Sequence, residues 1–187
     1  MSEKELAMQA YEIQTDLAVK YGVDLASRII QVVGEIDEDS FVRFDTALTL
    51  LEAGSKQTVT VKINSLGGSV YDALAIVGRI RNSKCQIITE AYGACMSASL
   101  LILACGKKRR MSSFAWAMHH EMSYELAGTH EQIKLAVAQA EREGTVWNTA
   151  MFALTNCDIW ETVGKQGNDY YLTPKQCKEH GVIDEIF

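Results

Sequence analysis

The stretch "TVTVKINSLGGSVYDALAIVGRIR", residues 58–81, carries the first architectural signal. Val59, Val61 and Ile63 alternate with Thr60 and Lys62, the period-two pattern of a strand with one buried face. A Gly67–Gly68 turn follows, and from about Val70 to Arg81 the apolar residues return at helical spacing. The flanks repeat the theme. Upstream, "SRIIQVV" (27–33) is β-rich, and Phe41, Phe44, Leu48 and Leu51 recur at helical spacing before Gly54 supplies a stop. Downstream, "CQIITEA" (85–91) reads as another strand and runs into "YGACMSASLLILACG" (92–106). Repeated β-α units predict an α/β domain.

Composition bounds the rest. With 187 residues, 48% apolar and 22% charged, the chain predicts one domain over 1–187 that can bury a sizeable core. The start, "MSEKELAMQAYEIQ", is acidic and polar where a secretory signal would be basic and then apolar. No apolar run approaches the ~18 residues of a membrane span, so a cytoplasmic protein without membrane contact is expected. The five cysteines, at 85, 95, 105, 157 and 177, make no CxxC pair, which predicts reduced thiols and no structural metal. A net charge of −6 argues against a nucleic-acid partner, and "KKRR" (107–110) reads as a solvated turn and strand edge.

Two later segments are more specific. Ile133, Val137, Ala140, Gly144, Trp147, Met151 and Leu154 recur in steps of three and four, so one long helix carries a narrow apolar seam that packs on its own domain or on another subunit. "TPKQ" (173–176) has Thr at the N-cap, Pro at the first helical position and Gln three residues after the cap, and Gly181 ends that helix before a last strand.

Chemistry has two candidate centres. Gly67–Gly68 between a strand and a helix leaves backbone N–H groups free for an anion or a developing oxyanion, although most such junctions are plain turns and the phosphate-loop pattern is absent. In the 92–106 run, Ser97 is flanked at two residues by Cys95 and Ser99, so the GxSxG elbow of α/β-hydrolases is missing. Ser97 at a strand-to-helix junction can still present its hydroxyl beside the N–H of Ala98, whereas Ser99 lies about 200° further round the helix. Pattern alone prefers core packing for all four small polar side chains of the run. A nucleophile needs a base, and "FAWAMHH" (114–120) ends a strand on two histidines, of which only one can face a given side.

"KIN" with "SLGGSV", "YGACMSAS", "MHHEM" and "NDYYLTPKQCKEHGVIDEI", in that order, resemble the segments of the ClpP family, the proteolytic subunit of the ATP-dependent caseinolytic protease. The likeness spans about Arg28 to Phe187, leaving residues 1–27 as a divergent N-terminal segment. The family's Gly-led junction fits Gly93, Ser97 and Gly106; its Met-x-His fits Met118 and His120, which selects His120 over His119; its Asp motif fits Asp169, Tyr171, Thr173, Gly181 and Asp184. Departures are Leu66 in place of Pro, Glu121-Met122 in place of Gln-Pro, and Gly167-Asn168 where an acid-Arg pair used between rings is frequent.

The resemblance implies a ClpP/crotonase-like fold with a protruding handle helix (region 121–156) and a serine endopeptidase using Ser97, His120 and Asp169, with Gly68 and Ala98 as the oxyanion hole. Substrate would lie extended along Gly67, Gly68, Ser69 and Val70, on a strand after Gly68, and along Tyr124, Glu125 and Leu126. No metal or cofactor is implied; ATP would be used by a partner AAA+ unfoldase such as ClpX, ClpA or ClpC. Homo-oligomeric heptameric rings stacking to a tetradecamer would enclose polypeptide substrates. Gly167-Asn168 predicts weak ring pairing, relieved by an ATPase or, for a phage-encoded copy, by host ClpP subunits. Two alternatives are a structural subunit of a mixed ring and a crotonase-type coenzyme-A thioester enzyme.

Overall fold

The computed structural model describes residues 2–164 and 167–187. Helix α1 (Glu3–Tyr21) precedes strands β1 (Val23–Asp24) and β2 (Ile29–Ile36), helix α2 (Glu38–Gly54) and strand β3 (Val59–Gly68). Then come α3 (Val70–Arg81), β4 (Ile87–Met96), α4 (Ala98–Ala104), β5 (Lys108–Met111) and β6 (Trp116–His119). The chain closes with α5 (His130–Thr155), α6 (Ile159–Gly164), β7 (Tyr170–Leu172), α7 (Pro174–Glu179) and β8 (Glu185–Ile186). Among the described residues these strands make one sheet in the order β1-β2-β3-β4-β5-β8, with β6 joined to β4 and β7 to β6. From β2 to β5 the neighbours run parallel, joined by α2, α3 and α4, as the alternating pattern predicts.

β3 lies at the centre of the sheet, and Val59, Val61, Ile63 and Ser65 all point to its buried face. Beside it, α4 is buried on every side, so a helix with no polar face sits between α3, α5 and the sheet. This is why "SASLLILA" carries no charge. α2 starts at Asp37, whose carboxylate accepts from Ser40 N–H at 2.8 Å while Ser40 Oγ accepts from Asp37 N–H at 2.9 Å. Gly54 is the last helical residue and not a left-handed stop; Ser55 leaves the helix in an extended conformation. The turn that follows is fixed by Arg28. Its guanidinium donates to the carbonyls of Leu51, Ser55, Gln57 and Thr58, at 3.0–3.3 Å.

α1 has a Ser2/Glu5 capping box and ends on left-handed Gly22, two signals that sequence reasoning passed over in treating 1–27 as divergent. The "KKRR" expectation is corrected. β5 lies inside the sheet between β4 and β8; Arg109 pairs with Asp184 at 2.6 Å, and Arg110 with the buried Glu90. Neighbouring strands supply these carboxylates, so the run's charge is largely neutralised within the sheet.

The seam of α5 divides in two. Ala140, Trp147 and Met151 are buried and Leu154 packs against the core, while Ile133 and Val137 remain 37% and 43% exposed. At about 1.5 Å per residue the 26-residue helix is roughly 39 Å long, and its first half extends past the body it packs on. α7 begins as "TPKQ" predicts, with Thr173 capping Gln176 and Gly181 left-handed after its C-cap.

Glu52 of α2 supplies a test of packing. Its carboxylate accepts from Arg79 at 2.7 Å, Ser83 Oγ at 2.7 Å and Lys84 N–H at 2.8 Å, and Arg79 above all holds it down to about 2 from an ordinary 4.5. A depressed carboxylate stabilises the fold above pH 4.5 and loses that contribution as pH falls towards 2. Glu52→Gln is expected to lower stability at neutral pH by about 2–3 kcal/mol and to flatten the acid dependence between pH 4.5 and 2, as urea titrations at several pH values would measure.

Candidate active site

The four small polar side chains of the 92–106 run have different roles. Burial pushes the Cys95 and Cys105 thiols up to about 12, so both stay protonated, and their S–H groups point to the carbonyls of Ser99 and Ile102. Ser99 is fully buried, with Oγ 2.7 Å from Met96 O and 3.1 Å from Ser65 O. These three are core. Ser97 alone is only half-buried and lies in an unusual backbone conformation, φ 50° and ψ −125°, at the corner where β4 becomes α4. A non-glycine residue there stores on the order of 1–3 kcal/mol of strain, and the surroundings hold it in place.

β6 brings in the partner. β4 pairs in parallel with β6 through Cys95–Ala117 and Met96–Met118, and Ser97 N–H donates to Met118 O at 2.8 Å. Two residues beyond Met118, His120 Nε2 lies 2.7 Å from Ser97 Oγ. His119 turns the other way, as alternation predicts; it is 2% exposed, its Nε2 is 3.3 Å from Trp160 O, and burial pushes it down to about 4, so it is neutral near pH 7.

Asp169 is brought to the site but not joined to it. β6 and β7 are antiparallel, pairing Ala117 with Leu172, Met118 with Tyr171 and His119 with Tyr170. The next step of that register sets Asp169 across from His120. Its carboxylate, however, is exposed and accepts from Tyr171 Oη at 3.3 Å, with no hydrogen bond to His120 in this conformation.

The Gly-Gly pair packs against the serine. Both glycines have positive φ, 105° at Gly67 and 144° at Gly68, and a Cβ on Gly67 would lie 2.6 Å from Ser97 Cβ and 3.1 Å from Ala98 N. Gly68 is pressed against β2, where a Cβ would meet Ile36 O at 2.3 Å. The N–H of Ala98, first residue of α4, has no acceptor within its helix. One supporting residue, Asn64, escaped sequence reasoning. Asn64 Oδ1 accepts from Ala94 N–H at 3.0 Å and comes within 2.7 Å of where Gly93 would carry a Cβ, so Gly93 is required by a side chain packed over it. The residue pair NS before GLY-GLY in "INSLGG" was the available signal.

The strand expected after Gly68 is not present. β3 ends at Gly68, Ser69 caps α3 by accepting from Asp72 N–H at 3.3 Å, and Val70 is the first helical residue, because the cap and the helical pattern compete for the same residues. Tyr124, Glu125 and Leu126 lie exposed in an irregular segment. Tyr124 Oη donates to Ala140 O at 3.0 Å, and Tyr124 and Leu126 form part of a cleft of about 340 Å³ that reaches His120.

A model of the Clp protease family matches residues 14–187. The chain belongs to the Clp protease family. The match begins within α1, earlier than the Arg28 at which the sequence likeness starts, so about half of the segment read as divergent is covered. ATP-dependent Clp protease proteolytic subunit 1 of Prochlorococcus marinus subsp. pastoris is 29% identical over 165 residues, 87% of this chain and 84% of that one. The subunit of the same name from Streptomyces avermitilis is 31% identical over 166 residues, 87% and 76% of the two chains. Proteolytic subunit 3 of Rhodococcus jostii is 26% identical over 162 residues, 85% and 80% of the two chains. This Clp protease is accordingly a serine-type endopeptidase of divergent sequence, and the thioester-enzyme alternative is set aside.

The contact of Gly67 with Ser97 is testable. Gly67→Ala places a methyl group inside van der Waals distance of Ser97 and strains a left-handed backbone position. Peptidase kcat/KM is expected to fall by about 100-fold, the scale of a 1 Å displacement of a reacting group, in a protein whose circular dichroism is unchanged.

Proposed function

We propose that Ser97, His120 and Asp169 form the catalytic triad of this protease, with the N–H groups of Gly68 and Ala98 as its oxyanion hole. The observation that carries this reading is the 2.7 Å contact of His120 Nε2 with the Oγ of a serine held at positive φ. Ser97 Oγ attacks the scissile carbonyl carbon while His120 Nε2 takes the hydroxyl proton. Negative charge gathers on the carbonyl oxygen, where two N–H groups stabilise it more than they stabilise the planar substrate. His120 then returns the proton to the leaving amine, and water repeats the sequence to release the acyl group. In the working conformation the Asp169 carboxylate exchanges Tyr171 Oη for His120 Nδ1, which fixes the imidazole tautomer and stabilises its charged form. No metal or cofactor enters any step.

The chain acts in the cytoplasm as one protease unit spanning 1–187, assembled into paired heptameric rings, with an AAA+ unfoldase feeding unfolded polypeptide. The half-exposed start of α5, with Ile133 and Val137 uncovered, supports contact with another subunit, since apolar area left in water is unfavourable by roughly 25 cal/mol per Å². Gly167 and Asn168 offer no ion pair at the ring junction, so the rings pair weakly without an unfoldase or a related subunit.

A fluorophosphonate probe is expected to label Ser97, and Ser97→Ala and His120→Ala are each expected to lower peptide hydrolysis by a factor of order 10³ or more with the fold intact. Labelling of Ser99 instead, or full activity in Ser97→Ala, would sink the triad. Asp169→Asn is expected to leave assembly unchanged and to reduce kcat more than KM. Sedimentation across a dilution series, with peptidase assayed at each concentration, is expected to show activity rising with protein concentration; a stable monomer with full activity would exclude the ring reading.

A further inference from the structure

The cysteines fall into two kinds. Cys85, Cys95, Cys105 and Cys177 are buried, and burial pushes the Cys95, Cys105 and Cys177 thiols up to about 12, so they neither ionise near pH 7 nor meet solvent. Cys157 is only half-buried, in the turn between α5 and α6. Its Sγ lies 3.6 Å from Nδ1 of His180, the residue that caps the C-terminus of α7. The other ring nitrogen of His180, Nε2, lies 3.5 Å from Tyr170 Oη of β7. Two aromatic rings hold the imidazole from either element, Trp160 edge-on at 6.2 Å and Tyr170 tilted at 6.4 Å. A thiol, an imidazole beside it and a third group that orients the imidazole come together here from three separate places in the chain, which is the arrangement that activates a nucleophile.

A cavity of about 390 Å³ adjoins the same thiol, with Thr149 and Phe152 of α5 and Trp160 of α6 among its walls beside Cys157 itself. That volume lies within the range of small-ligand pockets. Among the described residues no group of three His, Cys, Asp or Glu side chains is placed to hold a metal ion, so the Cys157–His180 pair suits thiol chemistry better than ligation.

We propose that Cys157 is a site of reversible thiol modification: it exchanges with a small-molecule disulfide to form a mixed disulfide, with His180 as the proton acceptor and the adjoining cavity as the place for the added group. With Nε2–H donating to Tyr170 Oη, Nδ1 takes the Cys157 proton. The thiolate sulfur attacks one sulfur of the disulfide, a new S–S bond forms as the old one breaks, and the departing thiolate takes the proton from His180. Cys157 is thereby oxidised, one half of the small disulfide leaves as a reduced thiol, and a second thiol reverses the step.

The test uses the full-length protein, treated with glutathione disulfide near pH 7 and quenched with acid, with the adduct at each cysteine followed by peptide mass mapping. Cys157 is expected to take up the adduct at least ~10-fold faster than any of the four buried cysteines, and dithiothreitol to remove it. His180→Gln is expected to slow Cys157 by about 10-fold, the low side of general-base assistance, as suits a 3.6 Å contact. Tyr170→Phe, which removes only the orienting hydroxyl, is expected to slow it by about 2- to 5-fold, with circular dichroism unchanged in both variants. A reaction led by another cysteine, no adduct at Cys157, or the parent rate in a folded His180→Gln protein overturns the proposal. Should His180→Gln fail to fold, its five cysteines react alike and Tyr170→Phe decides, a rate equal to the parent's overturning the role of His180 and with it the proposal.

Discussion

β4 changes partners along its length, and the candidate active site depends on that change. From Ile88 to Ala91 it pairs with β5; from Ala94 to Met96 it pairs with β6. The switch falls at Tyr92–Gly93, where Gly93 has φ 61° and Asn64 lies over it. Without the switch, β6 would have no place beside Met96, and His120 would not reach Ser97. The strain at Ser97 is held by three neighbours: Met118 O takes its N–H, α4 buries the residues that follow, and Gly67 packs against its Cβ with no side chain of its own. Preorganisation of this sort is where a serine hydrolase gains most, because donors already in position need not reorganise as charge develops.

Arginines join the layers. Arg28 gathers four carbonyls between α2 and β3; Arg79 of α3 reaches Asp45 and Glu52 of α2; Arg109 of β5 joins Asp184 to the carbonyls of Leu154 and Gly181. Each guanidinium meets several fixed acceptors, which a planar five-donor group does better than an ammonium. Arg109 bears on the candidate site, because Leu154 lies in the last turn of α5 and Gly181 follows α7, so one side chain ties both helices to the sheet that carries β6.

α5 divides between two environments. Its second half belongs to the core through Trp147 and Met151, whereas its first half carries Ile133, Leu135 and Val137 into solvent, with Leu135 70% exposed. A helix anchored at one end and apolar at the other is incompletely buried in a single chain. The same helix forms one wall of the cleft at His120, so whatever covers its first half also acts on the shape of that cleft.

The local elements were legible in the chain. Alternation in 58–64, helical spacing over 70–81 and the capping box of 173–176 are properties of neighbouring residues, and the structure keeps them. His119 and His120 were separated by strand alternation for the same reason. What neighbours cannot encode is which distant groups meet. The charges of "KKRR" looked solvated because Glu90 and Asp184 lie 20 residues before Arg110 and 75 after Arg109, and only the sheet order brings them together. The end of β3 at Gly68 came from competition with the Ser69 cap, and the Asp169 carboxylate meets the hydroxyl of Tyr171 two residues away. Residue type and spacing therefore carried the family resemblance, and that resemblance selected Ser97 and His120. The tertiary structure decided their 2.7 Å contact and the glycine-only approach of Gly67, because these arise where parallel strands with separate sequences converge.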